Sequence, residues 1–204
     1  MIIGFSGKKQ SGKDSQTNFI VGNFLDVHEL IKNFNITEDG KLFVETWDEN
    51  MGVFDLDDQN PKMQQFLNTE VYPFVRPFSF ASPLKQLVID FLGLDPSSCY
   101  GSNEDKEKPT KYTWKQIGKL FNDPELIKKV GNPSSRDLQK YIGNRVRHTL
   151  NENHWLDRAM EGIIKYKSEL SVVRDVRFPN EVKAIQKAGG VVIRLTRDIY
   201  PDVS

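Results

Sequence analysis

The sequence predicts an α/β fold: a mostly parallel sheet flanked by helices on both faces, with a small peripheral hairpin and a helical segment that can act as a lid. Three observations carry this. An apolar run at the start, Met1–Ser6, enters a loop rich in Gly, Lys and Ser that opens into a helical pattern. Further along, strand-like and helix-like patterns alternate, which is how parallel sheets are wound. Finally, 204 residues with 38% apolar and 11% aromatic content suffice for a single domain over 1–204, and exclude wholesale disorder.

Each element follows from its own pattern. Met1–Ser6, ending in Gly7, reads as a buried strand, and from Gly12 to about Val27 the residues Phe19, Ile20, Phe24 and Val27 recur at helical spacing. Residues 36–75 read as a peripheral hairpin, with strands at Lys41–Trp47 and Val53–Leu56 around the turn Glu49–Gly52. Arg76–Ala81 alternates as a second core strand. Ser82 then caps a helix with Pro83 at its first position, and Leu84, Leu87, Val88, Phe91 and Leu92 make a strong apolar stripe that Gly93 ends.

Pro96–Tyr112 is polar and turn-rich, and reads as a long loop of the kind that often serves function. Thr113 caps a short helix carrying Trp114, Ile117 and Phe121. Ser134 or Ser135 caps another with Leu138, Tyr141, Ile142 and Val146, and a third runs from about His154 to Lys167. Strand Leu170–Asp175, helix Pro179–Ala188 and strand Val191–Thr196 complete the described pattern. No internal repeat or low-complexity stretch interrupts it.

Composition narrows the function classes. Cys99 is the single cysteine, which rules out a disulfide framework and a cysteine-based zinc site. No apolar run approaches the roughly 20 residues of a membrane helix, and the N-terminal run has neither the basic start nor the cleavage site of a signal peptide, so a cytoplasmic location is expected. The 28 basic and 28 acidic residues cancel, which argues against bulk affinity for nucleic acid. That zero is an average, however. Residues 38–58 hold eight acidic side chains against Lys41, and residues 106–147 hold eleven basic against four acidic. Such runs are ordinarily solvated faces, and the basic one is also suited to handling phosphates.

The most informative stretch is Gly7-Lys8-Lys9-Gln10-Ser11-Gly12-Lys13-Asp14-Ser15, which fits G-x-x-x-x-G-K after a strand and before a helix. The glycines let the backbone curl so that successive N–H groups face phosphate oxygens, and the helix N-terminus adds its positive dipole end. Lys13 would reach the β- and γ-phosphates of a nucleotide. Asp14 stands where a Ser or Thr would bind magnesium. Asp14, directly or through water, or Ser15 would take that role; otherwise Asp14 serves the helix N-terminus electrostatically.

With Asp after the lysine, this loop resembles that of the bacteriophage deoxynucleoside monophosphate kinases, within the P-loop nucleoside monophosphate kinase superfamily. Animal phosphomevalonate kinases have a similar loop. Two further stretches separate the two resemblances. Arg174-Asp175-Val176-Arg177-Phe178-Pro179-Asn180-Glu181, with Ala184-Ile185 and Ala188–Arg194 following, is similar to the phage family's late strand-helix-strand. Ser135–Asn144, with Trp155 downstream, is similar to its basic helix, and Ala81–Lys85 matches as well. The hairpin region is not covered.

The resemblance implies a P-loop NTPase fold and an ATP-dependent phosphotransferase moving the γ-phosphoryl of ATP to a deoxynucleoside monophosphate, with ATP and Mg2+ as cofactors. The expected phosphate-binding set is Gly7 to Ser15, and Asp14, Ser15 and Asp175 are expected at the metal. Asp175 lies at the carboxyl end of a core strand, where such folds bind ligands; its bland alternative is a structural carboxylate. Lys13, Arg136, Asp175 and Arg177 are the expected catalytic residues. Arg136, Arg145 and Arg147 suit a closing lid within about residues 100–150, and Lys85, Lys106 and Lys108 would border the acceptor. Each of these cations also reads as a plain surface charge. Trp114 and Trp155 read as core residues before base-stacking ones, and His28, His148 and His154 show no metal-ligand spacing. The expected partners are small molecules rather than nucleic acid or membrane, with a homodimer left open. The rivals are a kinase for another small phosphorylated acceptor, phosphomevalonate-like, and a nucleotide-binding module without catalysis. The resembled family usually continues beyond the strand ending near Thr196 into a base-contacting loop and another strand, so the expectation is either a reduced adenine site or a chain that is short at its C-terminus.

Overall fold

The computed structural model describes residues 1–8 and 10–196; Lys9 and the stretch after Thr196, with the adenine-site expectation attached to it, lie outside the described residues. The chain divides into two compact units, one formed by Met1–Phe80 with the residues from Leu156 onward, the other by Ala81–Trp155.

The first unit is built on a four-stranded parallel sheet. Its strands are β1 (Ile2–Gly7), β5 (Val75–Phe78), β6 (Leu170–Val176) and β7 (Val191–Leu195), in the order β5-β6-β1-β7. The first strand therefore sits inside the sheet with a parallel partner on each side. Successive residues of β6 face opposite layers: Val172 joins a core with Val21 and Leu25, and Val173 joins one with Leu156, Met160 and Ile185. The first layer is helix α1 (Lys13–Val27); the second is formed by the later helices α9 (His154–Tyr166) and α10 (Pro179–Lys187). Helices on both faces of a parallel sheet are the arrangement expected from the sequence, and one compatible with a P-loop kinase fold.

The stripe on α1 differs from the expected one. Phe19 is 50% exposed and Val27 66%, whereas Thr17, Val21, Gly22 and Leu25 are buried. The reason is a second sheet, antiparallel and three-stranded, made of β2 (Asn33–Ile36), β3 (Leu42–Glu45) and β4 (Met51–Val53). It closes on α1 so tightly that a Cβ at Gly22 would lie 2.4 Å from the Phe34 ring. The expected hairpin corresponds to β3 and β4, with shorter strands. β2, together with the helix α2 (Pro61–Phe66) and the π-helical turn Leu67–Val71 that continues it, was not legible as regular structure.

Two other boundaries are corrected. The expected strand Arg76–Ala81 stops at Phe78, because Ser79 and Phe80 leave the ladder and donate to Asp175 instead. Ser82 is not a cap: helix α3 (Ser82–Leu92) has Ala81 at its N-cap position and no side-chain cap bond, while Gly93 ends it in the left-handed conformation, φ 58°.

In the second unit, the expected loop Pro96–Tyr112 contains two short helices, α4 (Pro96–Tyr100) and α5 (Asn103–Glu107). They lack apolar periodicity and are started by caps: Asp95 accepts from Ser97 N at 2.8 Å, and Ser102 and Asp105 form a reciprocal capping box. Thr113 caps α6 (Trp114–Leu120) as expected, Asp123 caps α7 (Pro124–Lys128), and Ser134 rather than Ser135 caps α8 (Ser135–Thr149). Val88, Leu92, Cys99, Ile117, Leu138 and Ile142 form this unit's core. Trp114 and Trp155 are both buried, and the Trp155 indole donates to Gly143 O at 3.1 Å. Among the described residues, no helix is long and apolar enough to cross a membrane.

The start of α10 supplies a test of the packing. Glu181 is buried and accepts from the N–H groups of Arg177 and Phe178 at 2.6 and 2.9 Å. Burial pushes its carboxyl above the ordinary 4.5, against the opposing pull of those two amides. A raised carboxyl pKa means that ionisation costs stability, a cost absent below pH 4.5 and growing as pH rises through the folded-state value. Glu181→Gln keeps an acceptor oxygen without the charge. Its melting temperature relative to wild type should climb as pH is raised from mildly acidic to neutral; a flat difference would contradict this account.

Candidate functional site

The charged residues of the first unit converge where β1 ends. Parallel pairing sets Ser6 opposite Val176 and Gly7 opposite Leu195, so the strand leaves the sheet beside the last residues of β6. There the chain turns sharply. Ser11 N donates to Lys8 O at 3.2 Å, and Gln10 and Gly12 hold left-handed conformations with φ of 64° and 91°. Left-handed residues within a tight turn aim neighbouring N–H groups toward one side, a concave arrangement suited to an anion. Gly12 is the N-cap of α1 and no side chain caps that helix, which leaves its first-turn amides and dipole for a ligand.

Lys13, the first residue of α1, folds back over the loop. Its Nζ donates to Gly7 O at 2.8 Å and Lys8 O at 2.6 Å, and lies 3.5 Å from Ser11 Oγ. Its pKa is lowered, first by burial and then by the Arg177 guanidinium, while Asp14 and Asp175 act in the opposite direction. Those four side chains therefore share one electrostatic neighbourhood. Both Asp175 oxygens are engaged by the end of the neighbouring strand: Ser79 Oγ donates to Oδ2 at 2.5 Å, and Phe80 N donates to Oδ1 at 2.9 Å. These bonds fix the direction of the carboxylate.

Asp14 and Ser15 part company. Asp14 is exposed on the first turn and acts on Lys13, whereas Ser15 lines a cavity of about 520 Å³ with Gln16, Phe19, Ile36, Thr37 and Glu38, against the antiparallel sheet. No group of three or more His, Cys, Asp or Glu among the described residues is arranged to hold a metal alone. A magnesium ion at a nucleotide ordinarily takes one or two carboxylates, its other ligands being phosphates and water. An oriented Asp175 and an exposed Asp14 fit that donor set.

The remaining expected residues belong to the second unit. Arg136 donates to Asn103 Oδ1 at 2.9 Å and pairs with Glu107 at 3.1 Å, which ties α8 to α5. Lys108 pairs with Asp105 at 2.7 Å, and Lys85 lies 4.5 Å from the Tyr100 ring centre. Arg145 faces another neighbour, donating to Phe121 O at 3.5 Å, and Arg147 is exposed in the last turn of α8. Arg136 and Arg145 thus reach different neighbours, and Lys106 is part-exposed on α5.

Three residues at the first unit's site were not singled out in the sequence. Ser79 orients Asp175. Arg174, its side chain 16% exposed, bonds Asp57 Oδ1 at 2.5 Å, and Asp14 and Asp175 also act on its charge. Arg174 is adjacent to a candidate carboxylate, a usable signal; Asp57 lies in an acidic stretch with nothing to distinguish it.

No protein-family model matches the chain. Over 119 residues it is 29% identical to a protein of Acanthamoeba polyphaga mimivirus provisionally named a deoxynucleotide monophosphate kinase, the match covering 58% of this chain and 59% of that protein. The chain thus matches less than two thirds of that relative's length. At this identity and coverage the likeness supports a nucleotide kinase relationship in general terms.

The loop geometry is directly testable. A left-handed Cβ costs roughly 1–2 kcal/mol. Nothing lies within 4 Å of a Cβ built on Gly12, so Gly12→Ala strains the backbone without a clash. The melting temperature should fall by about 2–8 °C. An unchanged melting temperature would contradict the left-handed assignment.

Proposed function

We propose that this protein is an ATP-dependent phosphotransferase that transfers the γ-phosphoryl group of ATP to a deoxynucleoside monophosphate, giving ADP and a deoxynucleoside diphosphate. The observation that carries the reading is Lys13 Nζ held over the carbonyls of Gly7 and Lys8, at the mouth of a left-handed loop with Asp14, Asp175 and Arg177 in its electrostatic field. The mimivirus relative's name and the resemblance of residues 174–181 support the nucleotide class.

The chemistry asks for positioning and charge rather than covalent catalysis. The amides of Lys8 and of Gln10, Ser11 and Gly12, with the first turn of α1, hold the donor phosphates. Lys13 exchanges its loop carbonyls for β- and γ-phosphate oxygens and neutralises charge as it moves to the leaving side. Asp14 and Asp175 would hold magnesium, which would supply positive charge to the donor phosphates. Ser15, turned toward the antiparallel sheet, is not given this role. Arg177 adds positive charge near the transferred group. In the second unit, the resemblance to the phage family makes Arg136, Arg145 and Arg147 candidates for a lid and Lys85, Lys106 and Lys108 candidates for the acceptor side. An acceptor phosphate oxygen attacks the γ-phosphorus, and the β–γ bridging oxygen leaves with ADP.

A coupled ADP-release assay with MgATP against each deoxynucleoside monophosphate tests this, with phosphomevalonate as the rival acceptor. Release should depend on a deoxynucleoside monophosphate. Lys13→Ala should abolish it while preserving the melting curve, because Lys13 bonds only loop oxygens in the structure. ATP binding without release for any acceptor would favour a non-catalytic module, and normal turnover by Lys13→Ala would overturn the assignment.

A further inference from the structure

The ion pair between Arg174 and Asp57 joins residues 117 positions apart and lies beside the phosphate loop. On β6, Arg174 lies between Val173, which pairs with Gly4 and Phe78, and Val176, which pairs with Ser6, so it sits level with the carboxyl half of β1, at a register irregularity. Val172, two residues earlier on the strand, faces the core that α1 covers, and Arg174 meets Asp57, whose neighbour Leu56 packs in that same core, while the charge of Asp14 on the first turn of α1 also acts on it. Asp57 arrives from the connector after β4. Its position is fixed by bonds other than its own ion pair: Tyr72 Oη donates to Leu56 O at 3.3 Å, Gln64 Nε2 to Asp58 O at 2.5 Å, and Asp57 N to Asp55 Oδ1 at 2.9 Å. The Asp57 side chain remains 33% exposed while Arg174 is largely covered.

The pair matters because of the charges around it. Among the described residues, Lys8, Lys13, Arg174 and Arg177 stand against Asp14, Asp57 and Asp175, so three carboxylates offset most of the positive charge that would attract a polyphosphate. Asp14 and Asp175 have a use for their charge, since they fit a magnesium ion. Asp57 is committed to Arg174, and so withholds that guanidinium's charge from any anion in the loop. We propose that Asp57 is a specificity-determining residue that makes nucleotide binding at the phosphate loop depend more strongly on a divalent cation, by neutralising Arg174. Metal-free nucleotide meets a site whose attraction is reduced by three carboxylates, whereas a cation at Asp14 and Asp175 would restore it. This inference rests on the proposed nucleotide site and adds a role for two residues beside its loop.

Calorimetric titration with ADP, once in EDTA and once in excess magnesium, reads the proposal without any turnover. Wild type should bind ADP much more tightly with magnesium. Asp57→Asn keeps an amide oxygen for Arg174 but removes the charge. It should tighten metal-free binding about tenfold and shrink the ratio of the two dissociation constants by about the same factor, while Asp57→Glu should keep the wild-type ratio. Arg174→Gln moves the balance the other way and should weaken metal-free binding about tenfold. The double variant should return toward the wild-type ratio. A folded Asp57→Asn with an unchanged ratio would overturn the proposal. If that variant does not fold, an Arg174→Gln variant with an unchanged ratio does the same. Absence of ADP binding by wild type in magnesium would instead remove the nucleotide site itself.

Discussion

Parallel pairing on both sides of β1 is the constraint from which the rest of the site follows. A strand inside the sheet has its course set by two neighbours, so the residue at which it leaves the sheet is fixed in space. Gly7 opposite Leu195 and Ser6 opposite Val176 put that exit beside the end of β6. The loop must then reverse within a few residues to start α1 over the same face, and the left-handed Gln10 and Gly12 accomplish the reversal. A loop formed for topological reasons thereby presents backbone amides and a helix N-terminus at the carboxyl edge of the sheet, where open α/β folds bind ligands.

The same constraint assembles the charges. β5 lies next to β6, and its chain leaves the ladder at Ser79, so that a hydroxyl and an amide meet Asp175 rather than a strand partner. On the opposite face Arg174 meets Asp57. Neighbouring residues at a register irregularity in β6 are thus divided between two partners, Asp175 meeting Ser79 and Phe80, and Arg174 meeting Asp57 in the connector.

Much of this was legible locally. The strand, the glycine spacing and Lys13 lie within one short segment, and Thr113, Ser134 and Gly93 act where their capping chemistry indicates. The failures are also physical. The buried side of α1 was read in part: Ile20 and Phe24 pack against the core as their periodicity indicates, whereas Phe19 and Val27 are exposed and Val21 and Leu25 take the fully buried positions in a core shared by both sheets. Helices α4 and α5 were missed because they are held by Asp95 and Ser102 caps rather than by an apolar stripe. Ser82 carries a cap-forming hydroxyl in front of proline, yet the chain bends one residue earlier as β5 ends.

The sequence by itself determined the α/β class, the glycine-rich turn between β1 and α1 and most helix starts, because each depends on interactions within a few residues. Tertiary structure alone decided which carboxylate is oriented, which serine turns away and which arginine is neutralised. Ser79 and Asp175 are 96 positions apart, and Asp57 and Arg174 are 117 apart. Such pairings depend on strand order and register, and register is set by how whole strands bury their faces, a property no local segment carries.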